Sequence, residues 1–335
     1  RPPRATLGPY TTLFRAGALS ARRQIHARIG QATWSNAEQA LPSDVFPTGF
    51  AMKSILAAAF AVATPAIAAV PHPFDVQDLV MMDRVSDPVL SPDGATVAFA
   101  LRETDYAANK GLNGVWTVSA SGGSPLRITD KALNASSPRW SGDGAHVYFL
   151  AAKQDVTQLW NVAVKGGAAR QATALPLDIN NFRIAPDGKH VLLSIDVFPE
   201  CASDTDLLAC TKRKLDARKA DKATGRLYDK LFVRHWDTWS DGRRSQLFIA
   251  DIGGDGNVSG APRLLSRGID GDVPSKPFGD DSEYAFSPDG RTVYFNVRIA
   301  GKTEPWSTNF DIYSVPSDAS APPKNLTAGN PAWDG

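Results

Sequence analysis

Residues 231–248, LFVRHWDTWSDGRRSQLF, concentrate side chains that can bind ligands. Four consecutive positions carry a guanidinium, an imidazole, an indole and a carboxylate: Arg234, His235, Trp236 and Asp237. Such a mixture of aromatic and charged groups suits a ligand-facing edge or the rim of a contact surface. A structural role is the alternative, in which His235 and Trp236 anchor the segment and Arg234 pairs with Asp237 or another neighbour. We retain these four residues as candidate substrate-binding residues.

Metal chemistry is not expected from this sequence. The two cysteines, Cys201 and Cys210 in CASDTDLLAC, lack the paired clusters of a structural zinc site and are too few for a disulfide-built fold. Four aspartates in repeated turns each stand alone among their neighbours, which does not suit a cation site; they are Asp93, Asp143, Asp187 and Asp289. We therefore predict no bound metal and no cofactor.

One ten-residue phrase recurs along the chain. It predicts the elements of the fold that must position the candidate binding residues. Its copies are LSPDGATVAF, WSGDGAHVYF, IAPDGKHVLL and FSPDGRTVYF. In three copies Pro presets φ at the turn, while in every copy Asp can hydrogen-bond the turning backbone and Gly can take a positive φ. Alternating apolar residues follow, as in a strand. Each copy therefore predicts a β-hairpin, and a second strand pair such as GVWTVSASGGSPLRIT follows each one.

The spacing of these hairpins predicts the architecture. Successive turns lie about 50, 44 and 102 residues apart, and the first two intervals match the period of β-propeller blades. The third interval holds one blade plus an insertion, whose charged first half is typical of an exposed helix. We predict an all-β chain that forms a partial β-propeller of about four four-stranded blades, rather than an unrelated run of hairpins in a sandwich. The blades fall at about 85–130, 136–174, 179–267 with an insertion at 197–245, and 282–328.

An arc of about four blades leaves the apolar faces of its terminal sheets without a neighbour, and propellers close with about four to eight blades. We therefore expect the chain to be a truncated part of a longer product.

Composition restricts the partners. The chain is 43% hydrophobic and 21% charged, which is typical of a globular protein. Its formal net charge is only +1, so electrostatics give no reason to expect nucleic acid or an anionic membrane as a partner.

An export signal is predicted inside the chain. From Met52 the sequence reads MKSILAAAFAVATPAIAAVPHPF, with one Lys, an apolar run and a small-residue cleavage pattern, as in a signal peptide. We expect a signal peptide at 52–69 and a periplasmic or secreted mature chain, although a buried Ala-rich helix is the alternative. The run is too short and too Ala-rich for a good membrane span. In an oxidising compartment Cys201 and Cys210 could pair, although two free thiols are the alternative.

Residues 1–51 precede Met52 and are interpreted as a leader that is not native to the protein. Their opening, RPPRATLGPYTTLFRA, resembles the translation of a common sequencing adapter. An Arg-rich targeting presequence is the alternative interpretation.

The chain resembles the prolyl oligopeptidase family, especially its dipeptidyl-peptidase V and acylaminoacyl-peptidase-like branch. The resemblance extends over residues 71–335. The repeated SPDG hairpins carry it weakly, whereas the segment VRHWDTWSDGRRSQLF at 233–248 and NPAWDG near residue 335 carry it more specifically.

This resemblance implies a propeller followed by an α/β-hydrolase domain, in which a serine activated by histidine and aspartate would cleave short peptides. The propeller would admit short peptides and exclude folded proteins. The sequence contains no G-x-S-x-G motif, and the mature histidines fall in propeller sequence: His72, His146, His190 and His235. We therefore assign no catalytic residue and expect the α/β-hydrolase domain to be absent from this chain.

Two functions of different class remain. The first is the substrate-gating propeller of a secreted serine exopeptidase that releases dipeptides or acyl-amino acids, inactive in this chain alone. In that case Arg234 or Asp237 would hold a peptide terminus by charge-assisted hydrogen bonds. The second is a TolB-like periplasmic propeller that binds other proteins. The insertion with RHWDTW favours the first.

Overall fold

The structure, a computed structural model, describes residues 72–229 and 231–335. The predicted leader at 1–51 and the signal peptide at 52–69 lie outside the described residues. Residues 81–335 form one compact unit, and the described residues 72–80 lie outside it. Within the described part, the α-helices are α1 (Val76–Met81) and α2 (Leu207–Ala220). Neither has the length and apolar content to cross a bilayer.

The strands assemble into four antiparallel sheets of four strands. The first sheet contains β1 (Arg84–Leu90), β2 (Thr96–Asp105), β3 (Lys110–Ser119) and β4 (Leu126–Arg127). The second contains β5 (Ser136–Trp140), β6 (His146–Lys153), β7 (Val156–Ala163) and β8 (Arg170–Gln171). In both sheets the strands are hydrogen-bonded in chain order.

The third sheet is interrupted by the insertion. It contains β9 (Ile179–Ile184), β10 (His190–Val197), β13 (Arg244–Ile252) and β14 (Val258–Leu264). Between β10 and β13 the chain forms α2 and a separate hairpin of β11 (Arg234–His235) and β12 (Thr238–Trp239). The fourth sheet contains β15 (Tyr284–Phe286), β16 (Thr292–Val297), β17 (Asp311–Pro316) and β18 (Lys324–Asn325).

Each repeated phrase closes its hairpin through one common hydrogen bond, from a backbone N–H to the carboxylate of the Asp two residues before it. In the first copy the Asp93 carboxylate accepts from the Ser91 hydroxyl at 2.5 Å and from the Ala95 N–H at 3.0 Å, and Gly94 has φ of +72°. The hydroxyl, followed by the backbone donor, holds the pKa of Asp93 below its usual value. The equivalent carboxylates accept from the N–H two residues onward; they belong to Asp143, Asp187 and Asp289. The turn chemistry predicted from the sequence is confirmed.

The sheets pack face to face through their alternating side chains. In β6, Phe149 faces the first sheet in one hydrophobic cluster, whereas its neighbour Leu150 joins a second cluster with the third sheet. In β13, Phe248 faces the second sheet and Ile249 joins a third cluster with the fourth sheet. Because a strand side chain points to alternate faces, the two middle sheets contribute to a core on both sides. The predicted all-β, propeller-like architecture of four-stranded blades is confirmed.

Polar contacts also join the first strands of the sheets. The Trp140 indole N–H in β5 donates to the Val89 carbonyl in β1 at 3.1 Å. The Arg139 guanidinium donates to both carboxylate oxygens of Asp281, just before β15, at 3.1 and 2.8 Å. This bidentate pair connects the second sheet to the start of the fourth, across a sequence separation of 142 residues.

The packing between the first two sheets generates a stability prediction. Phe149 is fully buried, so Phe149→Ala would remove its packing and leave a cavity, with an expected loss of about 3 to 5 kcal/mol in the free energy of unfolding. Urea unfolding of the purified protein, followed by circular dichroism, would measure it. Tyr106, which is 62% exposed, is the control: Tyr106→Ala should change stability by no more than about 0.5 kcal/mol. Equal losses in both variants would contradict the packing described here.

Candidate functional site

The insertion in the third sheet begins with a helix fixed to the blade. The Asp206 carboxylate caps α2 by accepting from the Ala209 N–H at 2.9 Å, in the usual manner of an acidic N-cap residue. At the other end of α2, the Arg218 guanidinium lies 4.3 Å from the centre of the Phe198 ring and donates to the Asp241 carbonyl. The helix therefore lies between the end of β10 and the start of β13.

A disulfide holds the first turn of this helix. Cys201 and Cys210 are bonded, with 5.8 Å between their Cα atoms, and both are buried with Phe198 in a small hydrophobic cluster. The sequence left a disulfide and two free thiols open for this pair. The Phe198 N–H also donates to the Thr211 hydroxyl at 3.2 Å, so covalent and hydrogen bonds both anchor α2.

The four candidate substrate-binding residues lie on the β11–β12 hairpin. Arg234 and His235 form β11, and Trp236 and Asp237 form its turn, in which Trp236 has φ of +48°. The Arg234 guanidinium lies 5.4 Å from the centre of the Trp239 ring. In the described part of the chain it forms no ion pair with Asp237, and the neighbour that it contacts is Trp239. Both charged side chains are exposed.

His235 and Trp236 form an aromatic group with Phe278, which lies in the connection between β14 and β15. Their ring centres are 4.9 Å (His235 to Trp236), 5.6 Å (His235 to Phe278) and 5.4 Å (Trp236 to Phe278) apart. The group joins the hairpin to the blade, yet Trp236 is 72% and Phe278 70% exposed. It therefore combines an anchoring contact with an apolar surface open to solvent, and the substrate-binding role of these residues stays a prediction.

Sequence reasoning missed a second group of charged residues. The group lies in or next to the first strands of the four sheets and consists of Asp87, Arg139, Arg183 and Asp281. Arg139 is within 3.5 Å of both Asp87 and Asp281. A signal was available: in two copies of the repeated phrase an Arg precedes the strand-end residue, as PRWSGDG and FRIAPDG. The partner Asp281 is too distant in sequence for any local pattern to indicate it.

One group near the start of the described chain has donors suitable for a cation: His72, Asp75 and Asp78. The Asp75 carboxylate accepts from the Gln77 and Asp78 N–H groups at 2.7 and 3.0 Å. These are capping interactions of the short helix α1, and they account for the position of Asp75 without an ion.

No protein-family model matches the chain. Dipeptidyl-peptidase 5 from Porphyromonas gingivalis is 34% identical to it over 250 residues, covering 74% of this chain and 33% of that protein. Among solved structures, acylaminoacyl peptidase in complex with Z-Gly-Gly-Phe-chloromethyl ketone is similar with a TM-score of 0.50 at 16% identity, covering 75% of this chain and 33% of that one. TolB from Acinetobacter baumannii is similar with a TM-score of 0.41 at 16% identity, covering 73% and 44%.

The four packed four-stranded sheets define the described chain as a β-propeller region. With the similarity to dipeptidyl-peptidase 5, the chain belongs to the prolyl oligopeptidase family and corresponds to its propeller-like region. The chain spans about a third of the length of the curated relatives that it matches most extensively.

The disulfide generates a prediction for the insertion. Replacing both cysteines, as Cys201→Ser with Cys210→Ser, removes the cross-link that closes this short loop, and the expected loss is about 2 to 3 kcal/mol in the free energy of unfolding. Urea unfolding without reductant would compare the double variant with the unsubstituted protein. In excess dithiothreitol the two proteins should differ much less, because the unsubstituted protein then lacks the bond as well. An unchanged difference in reductant would contradict a stabilising disulfide.

Proposed function

We propose that this chain is the substrate-admitting propeller of a secreted or periplasmic serine exopeptidase that releases dipeptides or acyl-amino acids from short peptides. The observation that carries the proposal is the 34% identity to dipeptidyl-peptidase 5 over 250 residues. The four sheets run from Arg84 to Asn325, so a match over 250 of the 335 residues includes most of the blades. The similarity therefore concerns the region that would control access.

The rigidity of the blades supports a role in access. Each pair of neighbouring sheets shares a buried hydrophobic cluster, and the Arg139 to Asp281 pair connects the second sheet to the start of the fourth. Close-packed protein interiors deform little. A wall of this kind excludes folded proteins by size and admits short, extended chains.

The reaction itself is proposed to take place outside this chain. The family resemblance implies a serine, a histidine and an aspartate on an α/β-hydrolase domain, with backbone N–H groups that stabilise the oxyanion. All strand pairs in the described residues are antiparallel, whereas that domain is built on a mostly parallel sheet. No residue of this chain is given a catalytic role, and the chain alone is expected to be inactive.

The β11–β12 hairpin supplies side chains that suit a peptide. Trp236 presents an exposed indole face, and aromatic faces make favourable contacts with apolar and aromatic peptide side chains. Arg234 and Asp237 flank it with opposite charges, which can bind a peptide terminus through charge-assisted hydrogen bonds. We propose that this hairpin contacts peptide substrates at the edge of the propeller.

Export is proposed on two grounds. The sequence from Met52 has the features of a signal peptide, and the Cys201 to Cys210 disulfide suits an oxidising compartment.

The decisive test is an assay of the product of the complete reading frame. We expect it to release nitroaniline from a dipeptidyl or an acetyl-amino-acid 4-nitroanilide and to leave folded globular proteins uncut, whereas the 335-residue chain alone should release none. Absence of hydrolysis by the complete product, together with capture of a protein partner by the propeller, would favour the TolB-like alternative.

Trp236 offers a sharper prediction within that assay. Trp236→Ala should raise KM about two- to tenfold with little change in kcat, because it removes an aromatic contact with the substrate and leaves the reacting groups untouched. Trp306, which is 71% exposed against 72% for Trp236, is the matched control, and Trp306→Ala should leave both constants unchanged. A fall in kcat at constant KM in the Trp236 variant would count against a substrate contact.

A further inference from the structure

The repeated phrase places equivalent residue pairs at the ends of the first strands of the four sheets. These strand-end pairs line a common cavity of about 440 Å³, together with Pro186 and Asp281. The pairs are Val89 with Leu90, Arg139 with Trp140, Arg183 with Ile184, and Ala285 with Phe286. Because the repeat fixes their register, the same two positions of every blade face this cavity, and two of the four blades carry an Arg there.

The two arginines differ in how well they are satisfied. Arg139 donates to both oxygens of Asp281, to the Pro138 carbonyl and, more weakly, to Asp87. Arg183 forms an ion pair with Asp281 at 3.6 Å, but its guanidinium makes no hydrogen bond to any residue that the structure describes. Its side chain is 35% exposed. The Arg139 guanidinium is therefore held by the protein, whereas the N–H donors of Arg183 can bind a ligand.

The charged lining of this cavity favours an anionic ligand. It consists of Arg139, Arg183 and Asp281, and both oxygens of Asp281 already accept from Arg139. Within the described residues, Arg183 is the cation of this lining whose donors make no hydrogen bond, which suits an anionic ligand group. Arg binds carboxylates especially well because its two parallel N–H groups match the two oxygens.

The remainder of the wall is apolar. Leu90 is 59% exposed although it belongs to a strand, and Ile184 and Phe286 line the same space half-buried. Sites for small ligands have volumes of about 300 to 1,000 Å³ and combine apolar walls with a few placed polar groups. A cavity of about 440 Å³ with one available guanidinium fits that description.

We propose that Arg183 binds the α-carboxylate of a short peptide in this cavity, with an apolar C-terminal side chain packed against Leu90, Ile184 and Phe286. The choice of a peptide as the ligand rests on the proposed function. An exopeptidase that removes dipeptides from the amino end leaves the carboxyl end of its substrate free, so a carboxylate site in the propeller would hold the trailing end. The site would then prefer short peptides with a free, apolar C-terminus.

Calorimetric titration of the 335-residue chain with Gly-Ala-Phe, its C-terminal amide and its N-acetylated acid tests the proposal. Because a charge-assisted bidentate contact is stronger than a neutral one, we expect Gly-Ala-Phe to bind about tenfold or more tightly than its C-terminal amide. The N-acetylated acid should bind like the free peptide. Arg183→Gln should abolish the preference for the acid, whereas Arg170→Gln, which changes an exposed Arg on β8, should retain it. Circular dichroism would verify that both variants are folded.

Titration of the unsubstituted chain tests the site even without a folded Arg183 variant. Equal binding of acid and amide, no binding of either peptide, or survival of the acid preference in Arg183→Gln would overturn the proposal. Loss of binding on N-acetylation would show instead that the acidic groups hold an ammonium, and would also overturn it. The titration requires no catalytic serine. Failure of hydrolysis by the complete product would therefore contradict the proposed function alone, whereas a missing acid preference would contradict the cavity site alone.

Discussion

The fold depends on one constraint, which is that each middle sheet must be apolar on both faces. A sheet between two neighbours cannot follow the simple pattern of one buried and one solvated face. In β10 consecutive residues, such as Leu192 and Leu193, are both fully buried, because one joins the cluster with the fourth sheet and the other the cluster with the second. The first and fourth sheets are packed against a neighbouring sheet on one face only, as the exposed Tyr294 in β16 illustrates.

Sequence reasoning captured the architecture because its main signal is local. The hairpin phrase is local: its Asp and Gly act within a few residues, so four copies predict four hairpins without knowledge of the fold. The family resemblance was also readable, since it rests on contiguous segments such as 233–248. The long third interval predicts an insertion, although the sequence indicates its internal structure only in part, as a helix over the charged first half.

The cavity arginines show where such reasoning ends. Arg139 and Arg183 occupy the same position of the repeat, but only Arg139 donates hydrogen bonds to Asp281, whereas Arg183 approaches it as an ion pair. That difference comes from Asp281, which lies far along the chain and reaches them only because the blades curve around a common space. Likewise, Phe278 meets His235 and Trp236 through tertiary structure alone. Local patterns predict elements, whereas the chemistry of a surface depends on which elements the fold brings together.

The base of the insertion has a consequence for how this family can diversify. Val197 and Arg244 are directly paired partners on adjacent strands, so the chain leaves the sheet and returns to it at the same rung of the ladder. Loop length adds little to the entropy of closing such a gap, about 0.6 kcal/mol for each doubling. The insertion therefore interrupts the β10–β13 hairpin without disturbing its pairing. Evolution can enlarge, exchange or delete the insertion while the strands of the blade stay in register.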